Sequence, residues 1–364
     1  MKITAIEIGK IAIPLKTPFI TALRRVDVAE DLVVKVHTDD GHTGYGNAPA
    51  TVVITGDSHQ SDAAAIKYTI GPKLIGRDID DREDILETIH QSMVHNTSAK
   101  AALDMAVHDL FGQRYGLPLY RFFGGRKTRI ASDLTISVNA PDTMASDAVQ
   151  AVSRGYSHLK LKVGIDPAMD FQRVAAIRKA VGPDVTIRLD ANQGWKPKEA
   201  IRLIGRMEDA GLAIELVEQP VAAADFDGLK QVTDHVATDI MADESAFSPR
   251  DVFRLLAMRV CDLINIKLMK AGGLAPAAQI AAMADATGVA CMMGCMLESK
   301  VGITAAAALS AGKAVITKND LDAADLMAAD PVQGGITYDK DHLVVPDAPG
   351  LGITAIDGWL PLKD

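Results

Sequence analysis

From about residue 132 onward the apolar positions fall into short runs, each followed by a stretch with helical spacing. The runs are LTISV (134–138), HLKLKV (158–163), TIRLDA (186–191), IELVEQ (214–219), IMADES (240–245), LINIKL (263–268), ACMMGC (290–295) and VITKND (315–320). Consecutive starts lie 24, 28, 28, 26, 23, 27 and 25 residues apart, one strand–helix unit each time. Eight such units predict an α/β chain with a parallel sheet closed into a barrel. An open doubly wound sheet is the alternative, but no GxGxxG follows the first strand to support a dinucleotide site.

The first third of the chain has a different pattern. Residues 2–13 and 31–38 read as strands, and the Asp39–Asp40–Gly41 turn leads to a short strand near 43–46. That predicts an antiparallel meander. Residues 60–123 read as helices, including KAALDMAVHDLFGQRYG, which stops at Gly116 before Pro118. The tail from about 332 reads as a β-hairpin with loops that leaves the barrel.

Composition narrows the function classes. Of the 364 residues 48% are apolar and 23% charged, which places the chain among globular proteins. With 8 Phe, 2 Trp and 6 Tyr, the core must come from aliphatic side chains and 14 Met. The net charge of −9 argues against nucleic-acid binding, whose affinity comes from neutralising phosphates. Cys261, Cys291 and Cys295 are too few for a disulfide framework and fit a reducing cytoplasm, with burial favoured over a zinc site. The start MKITAIEIGK lacks the features of a signal peptide, and no apolar stretch reaches 18 residues. A cytoplasmic protein without membrane contact is expected.

The barrel strands carry a second pattern. Residues two apart share a strand face. Leu159, Leu161 and Val163 oppose Lys160 and Lys162, while Ile187 and Leu189 oppose Arg188 and Asp190. Ile264 and Ile266 oppose Asn265 and Lys267. The apolar face is expected to meet the outer helices, which points the charges into the barrel. Charges recur at the C-terminal strand ends as Lys162, Asp190, Glu218, Asp243 and Lys267, and that end of a barrel carries the active site. Three carboxylates on consecutive strands suit a hard divalent cation, and structural ion pairs with the two lysines are the alternative. Lys160 and Lys162 are neighbours on one face, so each is expected to make the other easier to deprotonate. A lysine base beside a cation can remove a proton next to a carboxylate, provided the enediolate charge is stabilised as it forms.

The segments LKLKVG, RLDANQGW, ELVEQP, MADES and NIKLMKAGG resemble, in order and spacing, the muconate-lactonizing branch of the enolase superfamily. The resemblance covers the whole chain. It implies a (β/α)7β TIM-like barrel over about 126–330. An α+β capping domain with lid loops would occupy 1–125, and a segment 331–364 would return to the cap. It also implies one Mg2+ per subunit on Asp190, Glu218 and Asp243, the pattern of that superfamily. Lys162 and Lys267 become the acid/base pair on opposite faces of the substrate α-carbon, and Lys160 holds the substrate carboxylate.

Cycloisomerases, o-succinylbenzoate synthases, N-acyl amino acid racemases and dipeptide epimerases in that branch share this set. The D-x-D pair Asp320 and Asp322 in DLDAAD separates them, because in dipeptide epimerases it holds the substrate ammonium. Two carboxylates suit an ammonium's donors and charge. Arg24, in the early loop TALRRVDVAE, matches the arginine that binds the glutamate carboxylate in epimerases acting on Ala-Glu. Arg25 is adjacent and easily mistaken for it. VVITGDS (52–58) resembles the second lid loop, and Thr135 and Cys295 are implied to face the substrate.

The expected reaction is epimerisation of a dipeptide, L-Ala-D/L-Glu, by 1,1-proton transfer at the C-terminal residue. A cycloisomerase or o-succinylbenzoate synthase and a non-catalytic dipeptide-binding protein are the alternatives. Family members are often homo-oligomers.

Overall fold

Ile3–Ile20 (β1) and Arg25–Thr38 (β2) pair as one long antiparallel hairpin, and Thr43–Ala48 (β3) adds to the other side of β2. The structure, a computed structural model, describes residues 1–362. The meander is present, but its first two strands run further than their polarity pattern suggests. Beyond a register shift after Pro14, Phe19 still pairs with Val26 and Ile20 with Arg25. This arm leaves the sheet and is largely exposed on both faces, so no apolar–polar alternation marks it. The early loop shrinks to residues 21–24. The helix Thr97–Arg114 packs on the sheet, buried along most of its length, and ends before Gly116 at φ +63°.

A short strand, Arg129–Ala131 (β4), leads to the eight parallel strands. They are Leu134–Ile136 (β5), His158–Lys162 (β6), Thr186–Asp190 (β7), Ile214–Glu218 (β8), Asp239–Ala242 (β9), Leu263–Lys267 (β10), Ala290–Gly294 (β11) and Ile316–Asp320 (β12). Helices bridge the seven intervals. Four of them begin with Pro141, Pro167, Pro197 and Pro249, where the fixed φ of proline fits and its missing N–H costs nothing. The seam between β5 and β12 is drawn together by Asp133 N donating to Asn319 O at 3.2 Å and Asn319 Nδ2 to Ala131 O at 2.8 Å.

The alternation along the strands sorts the side chains as expected. Leu159, Leu161, Ile187, Leu189 and Ile264 are fully buried in the layer between sheet and helices. Each such residue contributes roughly 1.5–3 kcal/mol by leaving water. On the inner face a separate cluster of Leu216, Met241, Leu263 and Met292 fills the barrel below the charged residues. It floors the site and denies water a route from beneath.

Chain 332–362 covers both ends of the molecule. Val332–Gly334 (β13) pairs with Ile353–Ile356 (β16), and Thr337–Asp339 (β14) with His342–Val344 (β15), which also pairs with β4. Leu360–Pro361 (β17) then pairs with β1 in the cap, Gly9 opposite Pro361, and the Trp359 ring lies 3.9 Å from Lys35 Nζ. Among the described residues no helix is long and apolar enough to cross a membrane.

Candidate active site

The strand ends bring four ammonium groups and at least five carboxyls into one buried cluster. β6 is four strands from β10 in a ring of eight, so Lys162 and Lys267 reach in from opposite sides. Lys162 Nζ lies 2.6 Å from Asp190 Oδ2, and Lys267 Nζ 2.7 Å from Asp243 Oδ2. Lys160, 1% exposed, lies 2.7 Å from Glu218, 2.7 Å from Asp320 and 3.1 Å from Asp190. Gly294 on β11 leaves space for this. A Cβ there would stand 2.5 Å from Asn265 Oδ1 and 3.0 Å from Lys267 Cε. Gly294→Ala is therefore expected to push Lys267 aside and lower turnover at least ~10-fold, because misplacing a reacting group is costly. A steady-state assay with a melting curve separates this from unfolding.

One expectation fails. Lys160 is not eased toward a neutral amine by Lys162. Burial opposes its charge, but Asp320, Glu218, Asp190 and Asp133 outweigh that and hold its pKa well above the ordinary lysine value. The sequence pattern counted the neighbouring cation and missed four carboxyls that the fold brings in from elsewhere. Lys267 is likewise held up by Asp243 and Glu218 against its burial. Asp190 and Asp243 are held below the usual range by their lysines despite burial. Glu218 goes the other way, pushed up to about 8 by burial and by Asp190.

These features decide whether a cation fits. Among the described residues no three acidic, His or Cys side chains already form a cage, because lysines stand between the carboxylates. The donor set is nonetheless all hard oxygen. Glu244 Oε2 is buried without a hydrogen-bond donor among the described residues, as are Asn192 Oδ1 and Asn265 Oδ1. Burial also pushes Glu244 up to about 7. Three converging buried carboxyls and buried oxygens short of donors suit a divalent ion such as Mg2+. Asp190, Glu218 and Asp243 could hold one.

Above this floor lies a cavity lined by Arg24, Thr135, Lys162, Lys267, Cys295, Asp320 and Asp322, with Phe19, Leu23, Val53, Ile54, Met296, Leu297 and Leu326 as apolar walls. Asp320 and Asp322 leave the end of β12 together. Asp322 Oδ2 accepts from Thr135 N at 2.6 Å, and burial beside Asp320 pushes its carboxyl up to about 7. That pair lacks a cation of its own apart from Lys160. Cys295, just past β11, lines the cavity, and burial and Asp320 push its thiol far up.

Arg24 and Arg25 separate clearly. Arg25 is exposed and pairs with Asp27 at 2.9 Å. Arg24 sits at the arm's turn, half-buried over the cavity, and its guanidinium has no hydrogen-bond or ionic partner among the described residues. Burial lowers its pKa from the ordinary arginine value. The arm that carries it is pinned to the barrel. Ile20 N donates to Ser137 Oγ at 3.0 Å, Val138 N to Ile20 O at 3.1 Å and Ala328 N to Pro14 O at 2.8 Å.

Two residues escaped the sequence reading. Lys270 is fully buried, and its Nζ donates to Asp243 and to Asn265 O. Its position three after Lys267 was the available signal. Phe19, whose ring centroid is 5.8 Å from Lys162 Nζ, gave none, because the arm has no periodic pattern.

Comparison with known proteins agrees with this geometry. Residues 3–124 match the mandelate racemase / muconate lactonizing enzyme N-terminal domain, and 143–358 the enolase C-terminal domain-like family. An L-Ala-D/L-Glu epimerase of Clostridium acetobutylicum is 52% identical over 98% of this chain and its own full length. The substrate-liganded L-Ala-D/L-Glu epimerase of Bacillus subtilis superposes with a TM-score of 0.97 at 51% identity, covering 98% of this chain and 99% of its own. A dipeptide epimerase of Enterococcus faecalis, solved with Mg and L-Leu-L-Tyr, gives 0.95 at 41% identity, covering 98% and 100%. The chain belongs to the mandelate racemase / muconate lactonizing enzyme group of the enolase superfamily.

Proposed function

We propose that this protein is a Mg2+-dependent dipeptide epimerase whose substrate is an L-Ala-D/L-Glu-type dipeptide. The observation that carries the reading is one cavity with a recognition group for each part of such a molecule. Lys162 and Lys267 flank the α-carbon of the C-terminal residue. Asp320 and Asp322 take the ammonium, and the unpaired Arg24 takes the side-chain carboxylate. Relatives named as L-Ala-D/L-Glu epimerases support the choice of dipeptide.

Asp190, Glu218 and Asp243 would hold Mg2+, which would supply positive charge for the substrate carboxylate and the enediolate. The chain's own groups do the rest. Lys160 places its ammonium at the substrate carboxylate. One of Lys162 and Lys267 removes the α-proton. The other, on the opposite face, returns a proton to the carbon and inverts it. The pinned arm and the 52–58 loop, with Val53 and Ile54 in the wall, keep water away from the planar intermediate.

A dipeptide library tests the substrate class. Acidic C-terminal residues should be preferred by wild type. Arg24→Met should raise KM for Ala-Glu ~30-fold or more, the cost of about 2 kcal/mol for losing a charge-assisted contact, with little effect on a neutral partner. Equal KM changes for acidic and neutral dipeptides would remove Arg24 from that role.

A further inference from the structure

Two buried carboxyls meet where the cap touches the barrel wall. Asp31 on β2, with no exposed surface, accepts from Ser299 N at 2.9 Å and from Asn47 Nδ2 at 2.8 Å. The same Asn47 Nδ2 lies 3.3 Å from Glu298 Oε2. Glu298 Oε1 accepts from Met296 N at 2.9 Å, and Met296 is part of the cavity wall. One amide thus bridges two carboxyls, one on the cap strand that continues into the Arg24 arm, the other on the facing wall. Asp31 Oδ1 and Asn47 Oδ1 are buried acceptors with no donor. A Cβ at Gly302 would collide with both Glu298 Oε2 and Asn47 Oδ1, so those two oxygens lie under the same helix start.

We infer that Glu298 is a positioning residue: it carries a proton that it shares with the Asp31–Asn47 pair, and the latch, with one negative charge instead of two, sets the Met296 wall against the Arg24 arm. This rests on the epimerase reading above. The donor count requires a proton, because two anions on one amide repel and leave acceptors unpaired. Burial beside Asp31 pushes Glu298 up to about 8, and Asp31 is raised by burial as well. The other charges facing the latch are Lys267 from β10 and His59 from the helix His59–Ala64. Asp62 of that helix also faces Asp31, and burial together with Asp57 just before it pushes the Asp62 carboxyl up to about 8. None of these forms an ion pair with Glu298, so its deprotonation at alkaline pH sets two anions against each other and loosens the wall.

The test compares wild type with E298Q and D31N, each of which keeps the shape and removes the repulsion. KM and kcat for the dipeptide are measured from pH 6.5 to 9.5. The ratio of wild-type to E298Q KM should stay near 1 below pH 7 and reach ~10 at pH 9, with kcat unchanged, since one group ionising near 8 is mostly charged there. D31N should follow E298Q. A flat ratio for both variants overturns the inference. A second readout needs no turnover. A carboxyl raised in the folded state ionises first in the unfolded chain, so wild-type Tm should fall as pH rises from about 5 through 8. E298Q should fall less. Parallel curves refute the latch even if no dipeptide is a substrate, whereas an inactive wild type with the predicted Tm difference refutes only the epimerase reading.

Discussion

Lys267→Ala and Lys162→Ala should each lower dipeptide epimerisation by ~10^3-fold or more, while both variants stay folded. A positioned acid or base contributes about 10^2–10^4-fold, and inversion needs one on each face of the carbon. The lysines reach the cavity from β10 and β6, on opposite sides of the barrel, so neither can replace the other. Folding should survive because each deleted ammonium leaves a second one behind. Without Lys267, Asp243 keeps Lys270; without Lys162, Asp190 keeps Lys160 at 3.1 Å. The losses should also be asymmetric. Each variant should still exchange the α-proton of one epimer with solvent, and the two variants should retain opposite epimers. Separate incubation of L-Ala-L-Glu and L-Ala-D-Glu, followed by chiral chromatography and proton NMR, reads both effects. Loss of exchange from both epimers in both variants would mean that the lysines act through the structure of the site.

Chelation of Mg2+ should abolish turnover, with a loss above ~10^3-fold, and leave the melting temperature within a few degrees. The argument is electrostatic. In the chain alone, lysines already compensate the carboxylates, with Lys160 and Lys162 on Asp190 and Lys267 and Lys270 on Asp243. The fold therefore does not depend on the ion for charge balance. Catalysis does, because the enediolate's negative charge must be met as it forms, and the ion that Asp190, Glu218 and Asp243 would hold supplies that charge. Activity measured after EDTA treatment and again after Mg2+ addition, beside melting curves, checks both parts. Full activity in EDTA would contradict the assignment of the three acids.

The barrel was legible because its rule is local. Alternation on each strand and a repeat of about 26 residues appear directly in the letters, and the eight strands fall where that repeat puts them. The charged strand ends were legible for the same reason. What the sequence hid depends on other strands. The behaviour of Lys160 is set by Asp320, Glu218 and Asp190, which lie 30 or more residues away in the chain. The β1–β2 arm hid because it leaves the sheet, so no buried face stamps a period on it, and Phe19 went with it. Arg24 could be separated from Arg25 by resemblance alone; the structure gives the physical reason, since Arg25 has Asp27 and the Arg24 guanidinium has no partner among the described residues. The Asp31–Asn47–Glu298 latch, with Asn47 and Glu298 251 residues apart, left no local mark.

The central claim is two-lysine proton transfer at the α-carbon of an acidic dipeptide, and solvent isotope uptake tests it most directly. Wild-type enzyme with Mg2+ and L-Ala-L-Glu in D2O should yield L-Ala-D-Glu that carries deuterium at the glutamate α-carbon from the first turnovers. Absence of both exchange and epimer at high enzyme concentration, or an epimer that keeps its original hydrogen, would contradict it.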